Sequence, residues 1–245
     1  MELYELFFLM MIVMVAGFIQ SVTGFGFGIF AMIFLPYLLT YTEANTLSSM
    51  LSMLTSLLVI LATFRNVSWK NLIFPLVSCT VTTYLSVIFI KSQKNDTLLL
   101  LLGIVLFLLS VYFFFFSGKI KIKPTWYAGL IAGMFSGFMG GMFSMSGPPV
   151  VIYYMQSEKD SDHYLATISA YFVISGAISI TTKATAGFIT ANVWLSLAVG
   201  VLGMALGSLI GKKARSKNIK PSVIKKSVYG VMAVSGIVNV LQVVL

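Results

Sequence analysis

The chain has 245 residues, 58% of them apolar and 9% charged, with a formal net charge of +9 and a mean hydropathy of +0.98. So few charges among apolar runs of about 20 residues exclude an ordinary soluble domain and define an integral membrane protein. One cysteine, Cys79, excludes an internal disulfide, and one histidine, no His-Glu-x-x-His and no pair of intramembrane carboxylates argue against an intramembrane enzyme.

Taken in chain order, the first apolar stretch runs from 6 to 39. Glu2 and Glu5 precede it, so it lacks the positive start of a signal peptide and is expected to be retained. As one helix its 34 residues would be about 51 Å long against a hydrocarbon core of about 30 Å. It is interrupted at Gln20-Ser21-Val22-Thr23-Gly24-Phe25-Gly26-Phe27-Gly28, where it should break or fold back. Segments of spanning length follow at about 43–63, 69–90 and 97–117. A second over-long stretch, 125–157, is broken at Gly140-Gly141-Met142-Phe143-Ser144-Met145-Ser146-Gly147-Pro148-Pro149. Three more spanning segments are expected at about 162–183, 190–211 and 225–244. The linkers carry the charge, Lys183 being counted among them, and none is long enough for a soluble domain. The chain is therefore one membrane domain, with a first half of 1–118 and a second of 119–245.

Lys and Arg accumulate in cytoplasmic loops, so their distribution discriminates between topologies. If both long stretches cross fully, the 16 basic residues divide 10 to 6. If both are re-entrant hairpins, they divide 13 to 3. The second arrangement places both termini outside and the basic run Lys212 to Lys226 inside, as a positive-inside determinant in contact with anionic lipid and not a nucleic-acid patch. Each half then holds one hairpin and three crossings, an odd number, so the second is inverted relative to the first. Ala16-Gly17 and Gly24 match Ala132-Gly133 and Gly140 at an offset of 116. The expected fold class is all-α: a polytopic membrane protein of two inverted repeats.

Broken helices occurring once in each half point to a central binding site. The second half of a broken helix starts with unpaired N–H groups and a partial positive charge, which suits an anion. Glycine permits close approach, and hydroxyls add donors. The candidate substrate-binding residues are Gln20, Ser21, Thr23, Gly24, Phe25 and Gly26 at the first break, and Ser136, Ser144, Ser146, Gly147 and Pro148 at the second. Thr46, Ser49, Thr167, Ser169 and Tyr171 on the following helices are candidates to complete the pocket. The competing reading of these small residues is helix packing, seen plainly at Gly203, Gly207 and Gly211. His163 beside Asp160 and Asp162 reads as a solvated loop cluster. No acidic residue lies deep in a spanning segment, Glu43 at the mouth of the first hairpin being nearest. Export of an anion, which the membrane potential favours, is therefore expected over concentrative uptake. No cofactor or metal is implied.

The segments Gly17 to Gly28 and Gly137 to Pro149 resemble the two signature stretches of the TauE/SafE sulfite exporter family, and the resemblance extends over the whole chain in length and segment number. It implies a two-repeat fold in the cell membrane that moves small sulfur-containing anions, sulfite or organosulfonates, usually outward. The departure is Pro36, eight residues after Gly28 where relatives place a proline sooner, which shifts the expected bend. An importer or channel for another small anion or carboxylate remains the alternative. Neither the particular anion nor the oligomeric state can be read from the residues.

Overall fold

The computed structural model describes residues 2–116, 122–216 and 232–241, and these contain helices and no strand. The first stretch breaks where expected. Helix α1, Leu3–Thr23, starts beneath Glu2, whose N–H donates to Glu5 Oε2 at 2.8 Å. It ends because Gly24 turns left-handed, with φ +83°, and returns its N–H to Gln20 O. Gly26, at φ +101°, opens the short α2, Phe27–Phe34. Pro36 sits in the 3₁₀ turn Leu35–Tyr37 that finishes this hairpin.

Helix α3, Tyr41–Thr63, starts at a capping box in which Thr40 N and Oγ1 both donate to Glu43 Oε2. Next come α4, Trp69–Lys91, and α5, Asn95–Phe116. Pro75 lies inside α4, where its missing N–H leaves Asn71 O without its usual partner. The Tyr154 hydroxyl reaches that carbonyl at 3.5 Å.

The second stretch forms α6, Trp126–Phe143, and α7, Gly147–Ser157. Between them Ser144 has φ +58°, and among the described residues it is the non-glycine held in the left-handed region. Helix α8, Ser161–Ala186, is capped by Asp160, whose Oδ1 accepts from the N–H groups of Asp162 and His163. Those donors hold the Asp160 carboxyl below its usual range, so this acidic cluster is a helix cap. Helix α9 is Ala191–Ser216 and α10 is Met232–Leu241.

Six described helices are long and apolar enough to cross a membrane: α1, α3, α4, α5, α8 and α9. Large apolar side chains such as Val77, Val81, Leu108, Phe114 and Leu209 cover their exposed faces, as lipid contact requires. The protein is thus a multi-pass, all-α membrane protein. The expected sixth segment, 225–244, lies partly outside the described residues, as do Lys119, Lys121 and most of the basic run, Lys217 to Lys226.

Close packing is set by glycines. A Cβ on Gly203, Gly207 or Gly211 of α9 would strike the backbone oxygens of Met10, Met14 and Phe18 on α1. These residues therefore form a packing seam, and their numbers rise together, so α1 and α9 run parallel. The same holds for Gly133, Gly137 and Gly141 of α6 against Pro75, Cys79 and Thr83 of α4. By contrast α3 and α8 run antiparallel, with Asn45 near Lys183, Met53 against Gly176 and Ser68 bonded to Thr167. The turn-forming residues recur at a spacing of 120: α1 ends at Thr23 and α6 at Phe143, and α3 starts at Tyr41 and α8 at Ser161. The offset of 116 matched glycines one helical turn away from this register, pairing Gly24 with Gly140 where the structural counterpart is Ser144.

One charge was misplaced. Lys183 is not in a linker: it lies on α8 and is fully buried.

Candidate functional site

Both breaks meet at one cavity of about 40 Å³ in the interior. Since roughly 10–15 Å³ of such space admits one water, it has room for a few waters or a compact anion. The contact between the breaks is direct. A Cβ on Gly28 would collide with Ser144 O, and one on Gly147 would come within 3.2 Å of the Phe25 ring.

Among the predicted residues, Gln20, Phe25, Gly26, Ser49, Ser144, Ser146 and Gly147 line this cavity. Gln20 is held by α3: its Nε2 donates to Ser56 Oγ at 2.8 Å and Ser52 O at 3.3 Å, and its Oε1 accepts from Ser52 Oγ. Ser49 Oγ and Ser144 Oγ, one from each half, are 2.9 Å apart. Gly28 and Ile29 add the start of α2, whose first N–H groups precede the first intrahelical bond, Phe30 N to Gly26 O. The start of α7 offers fewer donors, because Pro148 and Pro149 have no N–H.

Other predicted residues support the breaks without lining the cavity. Tyr171 OH donates to Ser136 Oγ, which donates to Ser146 O at 2.6 Å, so these two side chains fix the second turn from behind. Thr23 Oγ1 lies 2.8 Å from Ile19 O and 2.6 Å from Phe25 O, bracing the first turn. Thr23 and Gly24 line a separate, open hollow of about 450 Å³ together with Glu158, Lys159 and Asp160. Ser21 faces Gly211 in the α1–α9 seam. Thr46 bonds back to Thr42 O, and Thr167 accepts from Ser68 N. Ser169 and Pro148 are buried off the cavity.

The sequence reading missed Ser52, Met53, Ser175, Gly176 and Ser179, which complete the wall from α3 and α8. Ser179 Oγ is buried without a hydrogen-bond partner. Lys183, one turn further along α8, was missed as a buried group. Its Nζ donates to Asn45 Oδ1 and Ser49 Oγ, both at 2.6 Å, and approaches Asn45 O at 3.4 Å. Asn45 Nδ2 in turn donates to the last carbonyls of α6, Gly141 O and Met142 O, and Tyr41 OH joins it on Met142 O. The period-four spacing of Ser175, Ser179 and Lys183 was the available signal.

A cavity with both polar and apolar walls between two interrupted helices, inside a bundle of apolar spans, defines a polytopic membrane transporter. The sulfite exporter TauE/SafE family matches residues 9–238, and the chain belongs to that family. A curated relative from Cupriavidus necator (strain H16), described as "Probable sulfite/organosulfonate exporter TauE", is 23% identical over 225 residues, covering 87% of this chain and 85% of its own. No solved structure matches the chain.

Proposed function

We propose that this protein exports sulfite, or a sulfur oxyanion of similar size, across the cell membrane through the cavity between the two breaks. The observation that carries this is the convergence of both breaks on one space lined by Ser49, Ser144, Ser146 and Ser179 and by the start of α2. Sulfite has four heavy atoms and three oxygens that need several convergent donors, and the volume favours it over longer organosulfonates. A binding site between two opposed hairpins is also accessible in turn from either side, if the halves rock about it.

The two halves act as inverted repeats in this reading. Helices α3 and α8 run antiparallel, α1 lies parallel to α9, and α6 lies parallel to α4. A four-residue link turns α8 back into α9, so α1 points the same way as α3, and α2 must return between them. The same reasoning applied to α6, α7 and α8 gives a second hairpin of opposite sense. Both hairpins are then re-entrant, and both termini are extracytoplasmic. Moving Lys183 out of the linkers leaves only Lys91 and Lys94 as basic residues on the outer side.

The test is efflux from proteoliposomes loaded with isotopically labelled sulfite, sulfate, methanesulfonate or taurine. Sulfite should leave fastest. If taurine or another long sulfonate leaves fastest while sulfite is retained, the size argument fails; if none moves faster than through empty vesicles, the exporter reading fails.

A further inference from the structure

Lys183 is fully buried and has no carboxylate within ion-pair distance among the described residues. Its hydrogen-bond partners, Asn45 and Ser49, are neutral. Glu43, the other buried charged group among the described residues, is occupied by Thr40, Thr190 and Asn192. An ammonium removed from water costs more than three neutral hydrogen bonds return. The C-terminal carbonyls of α6, reached through the Asn45 amide, supply partial negative charge, about half an elementary charge for a helix end. No carboxylate among the described residues supplies the remainder.

Ser49, bonded to Nζ, lies in the cavity wall against Ser144, and Ser179, one turn before Lys183, lines the same cavity and has a buried hydroxyl without a hydrogen-bond partner. We propose that Lys183 is the fixed positive charge of the anion site, acting through Ser49, and that the negative charge balancing it arrives with the substrate. This rests on the reading of the cavity as the anion site. Lys183 fills a lone pair of Ser49 and polarises its hydroxyl, which donates to Asn45 O at 3.0 Å, so an oxyanion in the cavity competes for that proton and draws on those of Ser144 and Ser179. Selection is then for net negative charge, with the hydroxyls and the volume discriminating shape.

The test compares purified wild type with Lys183→Met, Lys183→Arg and Asn45→Asp, each first shown to be monodisperse. Affinities are measured calorimetrically for sulfite, for methanesulfonate and for its uncharged isostere methanesulfonamide. Lys183→Met should weaken sulfite binding by about thirtyfold or more, as deleting one partner of a buried charge pair does. It should also bring the ratio of methanesulfonate to methanesulfonamide affinity close to one. Lys183→Arg should keep that ratio, and Asn45→Asp should lower it by giving the ammonium a resident carboxylate. A merely structural lysine would weaken both ligands alike, and an unchanged ratio in Lys183→Met overturns the proposal. If Lys183→Met does not fold, the ratio in Asn45→Asp decides by the same criterion. Wild type that ignores sulfur oxyanions but binds nitrate or chloride in a Lys183-dependent way retains this proposal and removes the sulfite reading. Wild type that binds sulfite with the ratio untouched in the variants does the reverse, and wild type that binds no anion removes both.

Discussion

Glycines 24 and 28 lie four residues apart in the first break and do different work. Gly24 has space for a Cβ, Leu165 Cδ1 being 3.5 Å away, but its φ of +83° is costly for an L side chain. Gly28 has ordinary geometry, and there a Cβ would meet Ser144 O. Gly24→Ala should therefore cost about 1–2 kcal/mol of stability while sulfite still binds. Gly28→Ala should force the breaks apart and abolish binding; thermal melts beside sulfite titrations separate the two. Ser146→Ala removes one donor and should weaken sulfite by roughly two- to tenfold, corresponding to about 0.5–1.5 kcal/mol. Titration of the purified variant checks this, and unchanged affinity would remove Ser146 from the site. The break residues were legible in the sequence because Gly, Ser and Pro interrupt an apolar run that is too long to cross. Lys183 was not, because a lysine three residues from a helix end looks the same in sequence whether it faces a loop or the interior. Thr46 shows the reverse: its hydroxyl is spent on its own helix at Thr42 O, an outcome that spacing alone does not distinguish from a pocket role.

At the scale of elements, the helices α3, α4, α5, α8 and α9 fall within a few residues of their expected bounds, since length and hydropathy dominate in lipid. Neighbour relations were harder to see. Nothing in the composition pairs α1 with α9, far apart in the chain, except the line of small residues Gly203, Gly207 and Gly211 on one face. That seam makes a separable prediction. Gly207→Ala places a methyl on Met14 O, which cannot retreat without moving α1, so it should lower stability by about 1–3 kcal/mol. Sulfite affinity per folded molecule should be unchanged, because Gly207 lies away from the cavity wall. A melt and a titration on the same preparation check both statements. Weaker binding without earlier melting would mean that the seam is coupled to the site. The offset of 116 pairs Gly24 with Gly140, whereas the left-handed residue that ends α6 is Ser144. A pattern search for glycine cannot find it.

At the scale of the whole molecule, orientation and driving force are linked through charge. If both termini are extracytoplasmic, as proposed, a cysteine at Ser216, introduced after replacing Cys79 by serine, should resist a membrane-impermeant maleimide in intact cells and react once the cells are opened. Labelling from outside would invert the orientation. Given this orientation, an anion leaving through the cavity moves down the potential of a negative interior, which contributes about 2.3 kcal/mol per monovalent charge per 100 mV. Glu43, the nearest candidate for a proton-coupling carboxylate, is instead built into the start of α3 and bound by Thr190 and Asn192 at the start of α9. Glu43→Gln weakens that cap and should cost about 1 kcal/mol of stability. Sulfite efflux per folded molecule should persist if no coupling step passes through this group. Collapsing the potential with potassium and valinomycin should slow efflux from wild type and Glu43→Gln alike, whereas dissipating a pH gradient at fixed potential should not. A folded Glu43→Gln protein that has lost efflux, or wild-type efflux that follows the pH gradient and ignores the potential, would make the protein a proton-coupled transporter and Glu43 part of its mechanism.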